Sequence, residues 1–433
     1  MEFGLEIIFI FGAFIALLLA GVIVPVAMGV PALLFLVMQN GVTGLNGIGL
    51  ISWASINSFA LTAVPLFLLM AEILSSAGLT KRVFQGMSRL VGRLPGGLIQ
   101  TSIAACAVFA SVSGSSVATA AALGRVSLPQ LTSRNYNRSI AAGALAAGGT
   151  LGVLIPPSIA MIIYGMFTQT SVPQLFMAGV VPGIILTVLF MAFVAIYDIV
   201  AKQETIQDEQ ASSLLEVGRA LLDIAPFVVL IAGTLGSLYM GFVTTTEAAM
   251  IGCALAVIIG FVWGELTVGR LAEAVVHTIT FSGNVLLLIL SAFIFSAAMN
   301  FSGVNSYIFD IVQSLDLTAF EFLLVVFAIF TVAGMLIESL GMIVLLVPIL
   351  FPLVQAYDIN PLVFGIIVVL FVELAQITPP MGINLFVIQS VWDGKLSEVI
   401  IGAIPFCFII VAMAFAVSFF PGIVLWLPDL LNQ

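Results

Sequence analysis

The stretch Gly152-Val-Leu-Ile-Pro-Pro-Ser158 lies inside one apolar run, and Gln376-Ile-Thr-Pro-Pro-Met-Gly-Ile-Asn384 lies inside another. Each proline pair removes two backbone N–H donors, so carbonyl groups of the preceding helical turn lose their hydrogen bonds. Buried carbonyl groups need another partner, which can be a neighbouring helix, water or a small hard cation such as sodium. Both stretches therefore predict helices that are broken at membrane depth.

The composition places the whole chain in a lipid environment. Of its 433 residues, 62% are hydrophobic and 7% are charged, whereas soluble domains carry roughly 25% charged residues. Apolar runs of about 20 residues recur along the chain, the length that one crossing of a bilayer requires. The three cysteines lie in apolar runs at spacings that suit neither a zinc site nor disulfides. We predict an all-α polytopic membrane protein that is not an enzyme.

The apolar runs predict twelve segments, three of which are too long for one crossing. They are Leu5–Val24, Val26–Met38, Ile51–Leu74, Leu98–Leu131, Ala141–Phe167, Leu175–Val200, Ile224–Met240, Ala248–Trp263, Ile279–Asn300, Phe320–Leu353, Pro361–Val391 and Val399–Phe420.

All eleven basic residues fall in loops or helix ends at one predicted face, which the positive-inside rule makes cytoplasmic. Both termini are then predicted to be periplasmic. This topology requires residues 98–131 to enter from the cytoplasm and return to it, and residues 320–353 to enter from outside and return there. We therefore predict two re-entrant helical hairpins.

The two halves of the chain resemble one another at a constant offset of 223 residues. The offset relates Pro129 to Pro352, Pro156-Pro157 to Pro379-Pro380, Gly179 to Gly402, Pro182 to Pro405 and Ser116 to Ser339. We predict two inverted repeats, 1–200 and 223–433, joined by a cytoplasmic linker, 201–222. The first repeat contains scaffold spans in 1–76, the hairpin 98–131 and the broken helix 141–167; the second contains the hairpin 320–353 and the broken helix 361–391. Inverted repeats with broken helices are typical of secondary transporters.

The predicted hairpin tips carry polar groups. The first reads Ser111-Val-Ser-Gly-Ser-Ser116 and the second Ile337-Glu-Ser-Leu-Gly341. Hydroxyl groups and free carbonyls at such a turn can coordinate a cation, although a serine-rich turn can equally satisfy its own backbone. Because tip and broken helix are paired twice, we predict two oxygen-rich ion sites. The N-termini of the half-helices favour an anionic substrate between them.

Three other ionisable residues fall in or near apolar runs. Glu338, at the second tip, is predicted to coordinate an ion or to act in gating. For Glu373, a functional role on the one hand and a helix-packing or water-facing role on the other remain equally open. Arg125 is predicted to extend to the cytoplasmic surface.

The chain resembles the large membrane subunit (M subunit, DctM-like) of tripartite ATP-independent periplasmic (TRAP) transporters. Three stretches carry the resemblance: Ser113-Gly-Ser-Ser-Val-Ala-Thr-Ala-Ala-Ala-Leu-Gly124, Gly149-Thr-Leu-Gly-Val-Leu-Ile-Pro-Pro-Ser158 and Glu373-Leu-Ala-Gln-Ile-Thr-Pro-Pro-Met-Gly-Ile-Asn384. The resemblance implies the ion transporter superfamily fold, an elevator motion and a sodium gradient as the energy source. It also implies two further chains, a small four-helix membrane subunit and a periplasmic substrate-binding protein.

The resemblance further implies the residues that bind the coupling ion, Na⁺. Sodium site 1 falls on Ser113, Ser115, Gly152, Ile155 and Pro157, and sodium site 2 falls on Glu338, Ser339, Gly341, Thr378 and Pro380. The candidate substrate contacts are Ser116, Ser158 and Asn384.

We therefore expect the large transmembrane subunit of a sodium-driven importer in a bacterial inner membrane. Its substrate would be a small organic acid, such as sialic acid, a dicarboxylate, a keto acid or a sulfonate. A sodium–anion symporter of the same fold that needs no binding protein is the main alternative, and a passive channel is another.

Overall fold

The computed structural model describes residues 2–41, 46–201 and 214–431, and all regular elements in these ranges are helices. The first half contains α1 (Glu2–Leu19), α2 (Val24–Asn40), α3 (Asn46–Ile56), α4 (Phe59–Ser76), α5 (Leu79–Val91), α6 (Gly97–Ser113), α7 (Ser116–Ser133), α8 (Arg138–Leu154), α9 (Ile159–Thr168) and α10 (Val172–Ala201). The second half contains α11 (Leu214–Ile231), a π-helical turn (Ala232–Gly236), α12 (Ser237–Tyr239), α13 (Thr245–Val262), α14 (Val268–Phe301), α15 (Val304–Ser314), α16 (Ala319–Ala333), α17 (Ser339–Ala356), α18 (Pro361–Gln376), α19 (Ile383–Ser390), α20 (Leu396–Phe419) and α21 (Gly422–Leu431). Most of the predicted linker, 202–213, lies outside the described residues, and its C-terminal part belongs to α11.

Length and composition give this chain the elements of a polytopic membrane protein. Among the described residues, six helices are long and apolar enough to cross a membrane, or up to eight if each of two bent helix pairs counts as one span. Large apolar side chains are exposed along the outer helices, for example Leu34, Ile196 and Phe408, as expected where lipid is the solvent. The predicted all-helical polytopic fold is confirmed.

The chain reverses direction between α6 and α7. Gly114 has the left-handed backbone conformation, with φ +61°, that a tight reversal requires. At the other end of the pair, the backbone N–H of Leu98 donates to the hydroxyl of Tyr136, at 3.1 Å. The start of α6 therefore lies beside the residues that follow α7, so the two helices form a hairpin whose ends share one side. We call residues 114–115 tip 1.

The chain also reverses between α16 and α17. The rings of Phe322, near the start of α16, and Tyr357, just after α17, stack with centroids 4.7 Å apart. Nearer the turn the arms separate around a cavity of about 430 Å³, which α1 closes with Phe14 and Leu18. The two arms of this hairpin are thus in contact at its base and apart near its turn. We call the turn, residues 334–338, tip 2.

Both proline pairs interrupt helices. α8 ends at Leu154, and α9 continues after a bend of 41°; α18 ends at Gln376, and α19 begins at Ile383. The side chains of Asn137 and Asn360 cap α8 and α18 by accepting hydrogen bonds from N–H groups of the first turn. We call residues 155–158 break 1 and residues 377–382 break 2.

The element boundaries follow the offset of 223 residues. Adding 223 to Ser116 and Arg138, where α7 and α8 begin, gives Ser339 and Pro361, where α17 and α18 begin. The halves are also interwoven, because α7 packs against α19 and α17 packs against α9. Each hairpin thus contacts the short half-helix of the other half.

Some elements differ from those predicted. Ile51–Leu74 is not one helix: α3 ends at Ile56, and α4 begins at Phe59. The predicted run Ile279–Asn300 is the C-terminal part of the 34-residue α14. The amphipathic helix α5, bent by 73° from α4, was missed, because hydropathy windows average its buried apolar side chains with its basic ones. The short helices α15 and α21 were missed as well.

Candidate functional site

Four helix N-termini belong to the two tips and the two breaks. α7 and α17 begin directly after the tips, and α9 and α19 begin directly after the breaks. Since each helix start presents unpaired N–H groups and a partial positive charge, this arrangement favours a bound anion. Oxygen atoms of the tips and breaks lie beside these N-termini and can serve cations.

Tip 1 lies directly against break 1. A Cβ atom added to Gly114 would be 2.6 Å from the carbonyl oxygen of Pro157, and one added to Gly152 would be 2.7 Å from the carbonyl oxygen of Ser115. Contacts this short leave no space for a side chain. The two glycines therefore permit the backbones of the hairpin and the broken helix to approach closely.

This contact gathers oxygen atoms from both segments. The hydroxyl groups of Ser113 and Thr119 both donate to the carbonyl oxygen of Ser115, at 3.1 and 2.8 Å. Ser113 is 1% exposed and Thr119 is fully buried. Hydroxyl and carbonyl oxygens are the ligands that hard cations prefer, so the donor set fits a sodium ion.

Four residues assigned to sodium site 1, Ser113, Ser115, Gly152 and Pro157, thus lie in one cluster. The side chain of Ile155 packs towards Gly183 of α10 and carries no polar atom, so that residue can offer a cation only backbone oxygen. Thr119 was missed by the sequence reasoning, although its place one turn after Ser115 in a helix is a usable signal.

The residues assigned to sodium site 2 are less closely gathered. The hydroxyl of Thr378 donates to the carbonyl oxygen of Leu374, at 2.7 Å, while Gly341 faces Ile337 and Val24. Pro380 is exposed. Ser339 contacts the side chain of Gln376 from the end of α18. A carboxamide therefore connects the start of α17, directly after tip 2, to the end of α18, directly before break 2.

Glu338 points elsewhere. It lines a cavity of about 410 Å³ together with Asn284 of α14, Pro25 of α2 and Met381 of break 2. This cavity separates tip 2 from α2 and α14. Of the two predicted roles of Glu338, the position suits gating better than coordination beside Thr378.

A buried hydrogen-bond network joins the two halves at the centre. The hydroxyl of Ser116 donates to Oε1 of Gln376 and lies 3.0 Å from Oδ1 of Asn384. Nε2 of Gln376 donates to the hydroxyl of Ser339, at 2.7 Å, and Nδ2 of Asn384 donates to the carbonyl oxygen of Ala146, at 3.1 Å. Gln376 thus bridges the two serines that the 223-residue offset relates.

The three candidate substrate contacts have different surroundings. Ser116 and Asn384 lie together in this network. Ser158 is fully buried, and its side chain caps α9 by accepting from the N–H of Met161, at 3.4 Å. The sequence reasoning missed Gln376, although it and Glu373 are the two polar side chains of an apolar helix, which was a signal.

We expect Gln376→Leu to reduce transport at least about tenfold, because the change breaks the bridge between the buried hydroxyl of Ser116 and the half-buried hydroxyl of Ser339, and a buried polar group left without a partner costs about 1–3 kcal/mol. Uptake by the reconstituted transporter and thermal unfolding of the purified chain would both be measured. Gln355→Leu is the control, since Gln355 is exposed on α17. Equal uptake by the two variants would show that the bridge has no functional role.

Comparison with known proteins identifies the family. Residues 11–423 match the model of the DctM component of tripartite ATP-independent periplasmic transporters. The chain is 32% identical to a C4-dicarboxylate TRAP transporter large permease protein of Rhodobacter capsulatus, over 98% of this chain and 99% of that protein. It is also 32% identical to an isethionate TRAP transporter permease protein, DctMQ, of Oleidesulfovibrio alaskensis, over 96% of this chain and 65% of that longer protein.

A solved structure shares the fold. The YdaH transporter of Alcanivorax borkumensis superposes with a TM-score of 0.59 over 87% of this chain and 90% of that chain, at 15% identity. Because the curated relatives are transport permeases, the interwoven hairpins and broken helices belong to a transporter and not to an enzyme. The chain is a member of the DctM family, the large permease subunits of TRAP transporters.

Proposed function

We propose that this chain moves a small organic anion inward across the bacterial inner membrane and that sodium ions bound at the tips and breaks drive the movement. The observation that carries the proposal is the contact between tip 1 and break 1. It gathers buried hydroxyl and carbonyl oxygens beside the N-terminus of α7, so a cation bound there would lie close to a site suited to an anion. The same segments recur in the second half, where Gln376 connects them.

In the proposed cycle, sodium binding fixes the two tips against the breaks, and the anion then binds at the half-helix N-termini. The hairpins and broken helices move as one body against the scaffold helices in an elevator motion. Coupling requires that ions and substrate stabilise the same conformation together. An excess of sodium charge over substrate charge would let the membrane potential contribute about 2.3 kcal/mol per charge per 100 mV.

The proposed assembly contains two further chains: a small four-helix membrane subunit and a periplasmic protein that delivers the substrate. Both chain termini would face the periplasm. The relatives' substrates, a C4-dicarboxylate and isethionate, support an organic acid as the substrate class. Accumulation by proteoliposomes under an imposed sodium gradient, with and without the two partners, tests the proposal. A channel would only equilibrate the substrate, and a binding-protein-independent symporter would accumulate it without the partners.

We expect Ser113→Ala combined with Ser115→Ala to raise the sodium concentration for half-maximal uptake about tenfold, because oxygen donors are lost from the tip 1 cluster. Loss of the Ser115 cap on α7 also costs about 0.5–2 kcal/mol. Thr267→Ala removes a comparable cap from α14, so this control separates capping from ion binding. Unchanged sodium dependence in the double variant would reject site 1.

A further inference from the structure

Glu373 is a buried carboxylic acid that the proposed sodium and substrate sites do not use. It lies in the last turn of α18, in the run 363–377, where every residue is buried. Its side chain is 0% exposed, and neither carboxyl oxygen has a hydrogen-bond partner among the described residues. The other polar side chain of this run, Gln376, has both ends of its carboxamide bonded. Glu373 therefore stands out as an isolated acid.

The helices packed against α18 are α8, α9, α10, α16, α17, α19, α20 and α21. Their titratable and charged groups are Arg138, Tyr164, Tyr197, Asp198, Glu321, Glu398, Cys407 and Asp429; α17 and α19 contribute none. The only cation in this set is Arg138, and it is the first residue of α8, where it stacks over the ring of Trp392, at 5.0 Å.

Four other groups of this set form hydrogen bonds elsewhere. Asp198 accepts from the backbone N–H of Gly96, at 2.8 Å, and Tyr164 donates to the carbonyl oxygen of Pro361, at 2.7 Å. Glu321 and Glu398 accept from backbone N–H groups at the starts of α16 and α20. Among the described residues, therefore, no cation neutralises Glu373.

Two electrostatic terms oppose a negative charge at this position. Burying an unpaired ion is strongly unfavourable, because protein dipoles replace only part of its hydration. The carboxyl group also lies in the last turn of α18, where the helix dipole is negative. Neither term acts on the neutral acid, which loses only the hydrogen bonds of a polar group.

We propose that Glu373 is a proton-binding site: its carboxyl group carries a proton while α18 is packed as in this structure and releases it only in a conformation that admits water to the carboxyl group. Alkaline pH then disfavours this packed conformation. Because Glu373 lies one turn before Gln376, which bonds Ser116 and Ser339 at the starts of α7 and α17, release of the proton would accompany loosening of the packing beside the central network.

Two measurements on the full purified chain test the proposal. Infrared spectroscopy detects the carbonyl stretch of a protonated carboxylic acid, which should persist at mildly alkaline pH in the wild type and disappear in Glu373→Gln. Sodium is the second probe: loss of this band on adding sodium alone would overturn the proposal in favour of a cation site. The pH dependence and sodium dependence of the band in the wild type can be measured even if the Glu373→Gln variant does not fold.

Thermal unfolding as a function of pH gives an independent test. The folded state holds a proton that an unfolded glutamate, with a pKa of about 4.3, has released at neutral pH. Stability should therefore fall as pH rises from about 5, by up to about tenfold in the folding equilibrium constant per pH unit, until the buried acid ionises.

Glu373→Gln should remove this slope, whereas Glu398→Gln, which alters a half-buried acid at the start of α20, should retain it. Equal slopes in the wild type and Glu373→Gln, together with no band specific to Glu373, would refute the proposal. The measurement does not depend on sodium coupling, so a failure of sodium-driven uptake leaves this outcome unaffected.

Discussion

Gly152→Ala should raise the sodium concentration for half-maximal uptake at least about a hundredfold. The added methyl group would lie 2.7 Å from the carbonyl oxygen of Ser115 and 2.9 Å from the hydroxyl of Thr119. Two backbones cannot absorb this overlap without moving tip 1 away from break 1. The movement would separate the oxygens that form the proposed site.

Gly152→Ala should not weaken α8 itself. Alanine is favoured over glycine in a helix interior by up to about 1 kcal/mol, so α8 itself should become no less helical. Sodium-dependent thermal stabilisation and sodium-dependent uptake are the two readouts. Gly283→Ala is the control, because a Cβ atom at that position in α14 would contact nothing within 4 Å. Wild-type sodium dependence in Gly152→Ala would remove the basis for site 1.

Gly402→Val should prevent accumulation of folded protein. α8 crosses α20 with backbone in contact at Gly143 and Gly402, and a Cβ atom on Gly402 would overlap the carbonyl oxygen of Ser139. Overpacking in a tight interface costs about 1–3 kcal/mol or more. The atom that the added side chain meets belongs to the backbone, which cannot move aside by changing a rotamer. We therefore expect aggregation or a large loss of thermal stability.

Size-exclusion chromatography of the detergent-solubilised chain would measure this effect. Gly283→Val, at an exposed position in α14, controls for the lower helix propensity of a β-branched residue. A monodisperse Gly402→Val protein that unfolds at the wild-type temperature would show that the helices can separate at this crossing without cost.

The elements at the centre were predictable because their signals are local. A proline pair interrupts a helix wherever it occurs, and Ser113-Gly-Ser-Ser116 places a reversal and a cap within four residues. The positions of the basic residues predicted the two hairpins, since simple crossings would have put arginines on both faces of the membrane. These inferences require no knowledge of which helices pack together.

The rest depends on packing between distant segments. The bridge from Ser116 through Gln376 to Ser339 spans residues of both halves, so no sequence window contains it. The orientation of Glu338 towards the cavity beside Asn284 likewise depends on the distance between tip 2 and the helices α2 and α14. The isolation of Glu373 could be recognised only once the groups on every neighbouring helix were placed.

The crossed packing of the two halves also constrains how the polypeptide is made. α9 leaves the ribosome long before α17, against which it packs, and α7 precedes α19 by an even longer stretch of chain. Neither half can bury its inward surfaces until the other has been synthesised. During translation the membrane must therefore hold the early segments in a provisional arrangement, and the final assembly is a late, concerted event.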